Sequence, residues 1–297
     1  MKDILIISKK DSGWTLHSVF LTLVFILCFV SANAQTKDPI TLADSLYALG
    51  DYQPAITEYK RFLFFNKNDE QAAQVYARIG KCYRNLYDWD NAEEYYNNAI
   101  AYANNDSLRA EYKIALGIVY ISSKDFIATE KILLPLASFS ELPTIQSKAS
   151  FFLSLTYIYC HKWKKAREYL DNNILSSDSS MNFELNQLLE KAANTKYKSP
   201  THARWLSTFI PGLGQVYAGQ PLSALNAIAI NFATGYLLYD TIDKHPSFIE
   251  IYTYGSLFHR FYSGNRHNAE RYVHERNEKK DKELETELLQ VIDKMME

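Results

Sequence analysis

Gly50-Asp51-Tyr52-Gln53-Pro54-Ala55 returns as Tyr87-Asp88-Trp89-Asp90-Asn91-Ala92, as Lys124-Asp125-Phe126-Ile127-Ala128-Thr129 and as His161-Lys162-Trp163-Lys164-Lys165-Ala166. Aromatics at 52, 89, 126 and 163 and small residues at 55, 92, 129 and 166 hold a period of 37 without a gap. Twelve places before each small residue stand Ala43, Gly80, Gly117 and Ser154, with Tyr83, Tyr120 and Tyr157 three places later. A fixed period of this length marks stacked structural repeats, each too small to bury its own apolar face. Small residues on two successive helices let their backbones approach, and the neighbouring aromatics fill the groove between repeats. The expectation is four helix pairs, closed by a ninth helix over Asn182 to Ala193, where Phe183, Leu185, Leu188, Leu189 and Ala192 recur at helical spacing.

The pattern resembles the tetratricopeptide (TPR) repeat over Gln35 to Asn173. The resemblance implies an all-α fold, a TPR-like helical solenoid. Second-helix positions read Tyr59, Tyr96, Leu133 and Leu170, and the later small position reads Phe62, Ala99, Leu136 and Asn173. The closing Pro is missing and each unit is three residues longer than usual, which suggests longer second helices or loops.

The composition agrees: of 297 residues 47% are hydrophobic, with only 10 Gly and 8 Pro, too apolar for disorder and too poor in turn residues for a β-sandwich. A net charge of −2 gives no electrostatic reason to expect nucleic acid as a partner. Three cysteines make no disulfide scaffold, and Cys82 and Cys160 on first helices read as core filling. No nucleophile elbow, phosphate-binding glycine loop or paired metal motif occurs, so no enzyme activity, cofactor, metal or small-molecule substrate is expected. His267, Glu270 and His274 share one helical face without a firm third ligand, and read as exposed polar residues.

The N-terminus reads as an address. Lys2, Lys9 and Lys10 precede the chargeless run Val19 to Val30, and Ala32-Asn33-Ala34 follows. The run is shorter than a spanning helix needs, and the small residues suit signal-peptidase cleavage after Ala34. An uncleaved anchor is the alternative, since Trp14 and Leu16 extend the stretch. A signal at 1–34 places the repeats outside the cytoplasm, in a bacterial cell envelope.

In TPR arrays the first helices line the inner groove. Its positions here run from basic, with Arg78, Lys81, Arg84 and Asn85, to apolar, with Ile114, Ile118, Ile121, Phe151, Leu155 and Ile158. An apolar wall left in water costs about 25 cal/mol per Å². Either the chain's own cap helix after Met181 covers it, or an amphipathic helix or peptide of an envelope protein does, its acidic groups meeting the cations.

At Ser199-Pro200 the composition changes, after a cap and linker over 174–198. Pro221 to Tyr239 carries no charge, a length that suits a spanning helix, and Ser247 to Tyr262 follows as a second apolar arm bearing Glu250, His259 and Arg260. Gly219, Ser223 and Ala227 form a small-residue face, and Tyr236 and Tyr239 suit an interface belt. A buried helix of a soluble domain is the alternative.

Before these arms stand Pro211, Gly212, Gly214, Gln215, Tyr217 and Gly219. This Pro-Gly-Leu-Gly-Gln-x-Tyr-x-Gly segment resembles one that opens helical hairpins in uncharacterised bacterial membrane-protein families, whose charged exit is matched by Ser263-Gly264-Asn265, Ala269 and Asn277. Physically, Pro211 ends a helix, the glycines permit a re-entrant bend, and Gln215 pairs backbone groups left open at membrane depth. A membrane hairpin over 199–265 would precede a tail, 266–297, in which 16 of 32 residues are charged, expected as a solvated helix with apolar positions such as Leu284, Leu288, Leu289 and Ile292 and room for a short coiled contact.

Two functions follow as expectations: an exported scaffold anchored in the inner membrane that binds an envelope protein or peptide through its groove, or a hairpin that assembles with membrane helices or lipid and uses the repeats as an assembly arm.

Overall fold

The computed structural model describes residues 39–66, 70–171, 179–244 and 247–296; the segment 1–34 read as a signal, Asn173, and His245 and Pro246 of the expected turn lie outside them. Thirteen helices and no strand make up the described residues. The fold is all-α, TPR-like helix pairs followed by C-terminal helices. The chain divides into two compact units, 1–119 and 120–297.

In the first unit α1 (Pro39–Ala48) packs on α2 (Tyr52–Phe65), α2 on α3 (Ala72–Asn85) and α3 on α4 (Trp89–Tyr102), and most of α5 (Asp106–Ser122) follows. Ala43, Ala55 and Ala92 of the 37-residue pattern are wholly buried. At Gly80 a Cβ would stand 2.9 Å from the Tyr96 ring, so the aromatic of the second helix occupies the room that the missing side chain leaves. Ala73, Ala99, Ala103 and Tyr112 form a core cluster with Tyr76 and Leu108 packed against it.

In the second unit α6 (Phe126–Phe139) packs on α7 (Pro143–Tyr159), α7 on α8 (Trp163–Asp171) and α8 on α9 (Ser179–Ala193). Thr129, Ser154 and Ala166 are again wholly buried. Tyr59, Tyr96, Leu133 and Leu170 all fill the core, as does Phe62 where the TPR pattern asks for a small residue.

The turn inside each repeat repeats its backbone as well as its sequence. Gly50, Tyr87, Lys124 and His161 all have left-handed φ, at 84°, 59°, 64° and 54°. In each turn the next amide reaches back five residues, from Asp51 to Leu46, Asp88 to Tyr83, Asp125 to Tyr120 and Lys162 to Tyr157, at 2.8–3.0 Å. This is the Schellman closure, which satisfies carbonyls left open at a helix end. Asp88 and Asp125 then cap the second helix, accepting from the amides of Asn91 and Ala128.

After the repeats come α10 (Pro200–Phe209), α11 (Leu213–Ala218), α12 (Pro221–Asp243) and α13 (Phe248–Met296). At 49 residues α13 is about 73 Å long. It passes residue 265 without a break, so hairpin arm and tail are one helix. Its first part pairs with α12, its middle with α10 and α11, and its end with α9 and α7.

The end of α13 packs its apolar positions, where the sequence suggested a solvated helix with room for a short coiled contact. Leu284, Leu288, Val291 and Ile292, at i, i+4, i+7 and i+8, are buried. Around this stripe Asp281 accepts from the Tyr197 hydroxyl and, at 3.3 Å, from the Trp163 indole; His161 Nε2 lies 2.8 Å from Glu285; Lys191 donates to Glu287 at 2.7 Å. Asp281, Glu285 and Glu287, among the charges that made the tail look solvated, rim a packed seam. The end of α13 and α9 together close the repeats, where a single cap helix was expected.

Candidate functional site

Two places were singled out, the first helices of the repeats and the glycine-rich hairpin. Arg78, Lys81 and Asn85 do come together on α3, but α1 already occupies them. Arg78 donates to both oxygens of Asp44, at 2.9 and 2.8 Å, and Tyr59 donates to the same carboxylate. The Lys81 ammonium stands 5.0 Å from the centre of the Tyr47 ring, and Asn85 donates to the Tyr47 hydroxyl at 3.0 Å. Both groups of the Arg78–Asp44 pair remain more than a third exposed, so the pair is weak and open to competition. Arg84 is half-buried.

The apolar half differs from the expected open wall. Ile114, Phe151 and Ile158 are buried and belong to the core. Ile118, Ile121 and Leu155 are half-buried. The helix faces that line a groove in TPR arrays here also carry packing within the chain, which a single periodic pattern does not distinguish.

The thiols behave as core groups. Cys82 is wholly buried, and burial pushes its pKa up to about 12. Cys160 is half-buried and shifted upward for the same reason. Among the described residues no cluster of three His, Cys, Asp or Glu could hold a metal. His267 and His274 are exposed, and Glu270 faces Arg204 at 3.9 Å.

The glycine motif builds a polar knot. Gly212, with φ at 93°, turns the chain between α10 and α11, a backbone that only glycine adopts without strain. Gly214 sits where any Cβ would strike the Ala203 carbonyl, the Ser207 hydroxyl and the Ala269 methyl. That close approach brings α10, α11 and α13 together over Ala203, Ala218, Ala269 and Val273.

Inside it, the Asn265 side-chain oxygen accepts from the Gly212 amide at 3.1 Å and from Gln215 Nε2 at 2.8 Å, and Asn265 Nδ2 donates to the Ser207 carbonyl. Ser207 Oγ donates to Gln215 Oε1 at 3.0 Å and accepts from the Gly214 amide at 3.1 Å. Gln215 also donates to the Asn265 backbone carbonyl. Every member is buried and paired, the arrangement of a structural network.

At the other end of α10 and α11, Asn277 exchanges hydrogen bonds with the Lys198 backbone, Lys198 Nζ donates to the Tyr217 carbonyl at 2.6 Å, and the Tyr217 hydroxyl accepts from Ser199. The chain enters and leaves this helix pair at one level, and Gly212 turns it at the other. The Gln215 side chain pairs one backbone group, the Asn265 carbonyl. Ser207 carries as much of the knot, and no motif position pointed to it.

The surface of α12 and of the first part of α13, with the end of α10, is apolar. Phe209 is 78% exposed, Phe232 76% and Phe248 82%, and Leu222, Leu225, Tyr236, Tyr239, Ile249 and Tyr252 are exposed with them. Trp205 stacks on Phe209, also facing outward. Among the described residues α12 is the one helix long and apolar enough to cross a membrane, and only 17% of its most apolar stretch is buried, unlike a core helix.

Residues 74–103, which are α3, α4 and the loop between them, match the family described as Tetratricopeptide repeat. The comparison with curated proteins finds no match. The match covers one repeat of an all-α, TPR-like chain, and TPR repeats commonly mediate protein–protein interaction.

Proposed function

We propose that the protein is a membrane-anchored, exported TPR scaffold that binds a cell-envelope protein or peptide, with 1–34 as its signal, α12 and the first part of α13 as its inner-membrane anchor, and the first helices of its repeats as the binding face. The observation that carries this reading is the band of exposed aromatics and aliphatics on α10, α12 and α13. Left in water it would be an extended apolar patch, whereas in lipid it lies in its own solvent. At the binding face Arg78 and Lys81 would meet acidic groups of the partner, which replace Asp44 on the guanidinium.

A second reading is favoured by one specific feature: α13 runs from the apolar arm into the seam that closes α7 to α9. In that reading the hairpin assembles with other membrane helices or lipid, and the repeats are its assembly arm.

Alkaline carbonate extraction of membranes from cells making the full chain tests the anchor. The protein is expected in the pellet, and a variant with Leu225, Phe232 and Leu237 changed to Lys is expected in the supernatant. These side chains are exposed, so the change leaves the fold intact. Release of the unmodified chain would sink the membrane reading. The two readings then separate on Arg78→Glu with Lys81→Glu, which abolishes partner capture under the first and leaves the hairpin's assembly intact under the second.

A further inference from the structure

Beside the knot, between α12 and α13, lies a cleft of about 340 Å³ lined by Ser223, Asn226, Asn231, Arg260, Asn268 and Tyr272. Gln215 and Asn265 of the knot form part of its wall, and Ser223 donates to the Tyr272 hydroxyl at 3.3 Å. Asn231 is 4% exposed; its Nδ2 donates to the Ala227 carbonyl at 2.7 Å, while its buried Oδ1 has no partner. An unpaired acceptor at such a place is costly, and a bound donor would recover that cost. The lining holds one cation, Arg260, and no carboxylate. Asn231 and Arg260 each stand twelve residues from the connecting turn, so both lie about 18 Å along their helices. Gly235 against Phe258 and Gly255 against Leu238 fix that register.

The rim of the cleft is apolar. Ile230 and Phe261 line it and are exposed. An occupant therefore needs an anionic group for Arg260, a hydrogen-bond donor for Asn231 and an apolar body for the rim. A free anion fails the third. We infer that the cleft binds the headgroup of a glycerophospholipid, its phosphate on Arg260, its ammonium or hydroxyl donor on Asn231 Oδ1, and its acyl chains along Ile230 and Phe261. Asn226, Asn268 and Tyr272 supply further hydrogen bonds, and a guanidinium that would be costly alone at this depth is neutralised by the phosphate.

This inference rests on the reading of α12 and α13 as a membrane hairpin, and the test separates the two. The full chain in non-ionic detergent is mixed with dihexanoyl phosphatidylglycerol, with dihexanoyl phosphatidylethanolamine, or with glycerol phosphate, and bound species are counted by native mass spectrometry. The short-chain lipids are expected to bind and glycerol phosphate is not. Arg260→Gln is expected to weaken lipid binding about tenfold, Arg260→Lys less, and Asn231→Leu to weaken it without touching the charge. Equal binding by the parent and both Arg260→Gln and Asn231→Leu would overturn the inference, as would equal occupancy by glycerol phosphate. Flotation on phosphatidylglycerol vesicles is the control: parent and Arg260→Gln both float if the hairpin is a membrane element. Failure of the parent to float discards the membrane reading itself, and flotation without a lipid difference discards the cleft alone.

Discussion

His161, in the turn that opens α8, and Glu285, 124 residues further along the chain, meet at 2.8 Å. Their contact marks the seam by which the end of α13 closes α7 to α9. The energy of that seam lies in the apolar stripe beneath it, since both polar groups stay partly exposed.

Leu288→Ala tests the seam. Leu288 is wholly buried, and truncating such a leucine costs about 2–5 kcal/mol. Hydrogen exchange should show faster exchange along residues 281–292, together with a fall in the unfolding midpoint. Glu285→Gln should cost less than about 1 kcal/mol. A Leu288→Ala protein with parental exchange would mean that the seam does not hold the helix.

The left-handed turns predict opposite signs for two small changes. Lys124 is exposed and carries φ at 64°, so Lys124→Gly relieves strain and should stabilise by up to about 1 kcal/mol, net of the greater freedom of the unfolded chain. Gly50 has the same backbone and open space around a built Cβ, so Gly50→Ala should destabilise by about 1 kcal/mol through φ alone. Thermal unfolding of the two variants beside the parent measures both signs.

Gly214→Ala should be severe, because the added methyl meets a backbone carbonyl of α10 and cannot be accommodated by a side-chain rotation. Overpacking of this kind costs about 1–3 kcal/mol or more. Limited proteolysis should cut between α10 and α12 in the variant and spare the parent.

Acid should weaken the repeats in part through Glu130. The Tyr157 hydroxyl, donating at 2.8 Å, and the ammonium groups of Lys165 and Lys162 hold its carboxyl below the ordinary value of 4.5, against the opposing effect of burial. A folded-state pKa below the unfolded one gives stability that is fully present above the unfolded value and is lost as pH falls through the folded one. Stability should therefore decline below about pH 4.5, and Glu130→Gln should flatten that decline. A parental pH profile in the Gln variant would remove Glu130 from this role.

The repeats were legible because close packing leaves a trace at every period. Ala43, Ala55, Ala92, Thr129, Ser154 and Ala166 are small in sequence and wholly buried in structure. The left-handed backbone at Tyr87, Lys124 and His161 was not legible, since only Gly50 announces it; the others are held there by the hydrogen bonds around them. The occupation of Arg78 by Asp44 was equally hidden, because a pairing between helices one repeat apart has no local signature. The tail misled through its charges: the stripe of Leu284, Leu288, Val291 and Ile292 is plain, yet half the residues around it are ionised, and only the fold shows that several of them rim a seam.

The seam also sets an order of events during synthesis. By Asp171 the last repeat has been translated, but the residues that close it, from Asp281 on, follow only after more than a hundred others, the apolar arms among them. Until then α7 to α9 present an uncovered apolar flank to whatever is near. A nascent chain stalled before Asp281 should thus be a ready client for chaperones that hold exposed hydrophobic surface, and release of that chaperone would report that the far end of α13 has docked.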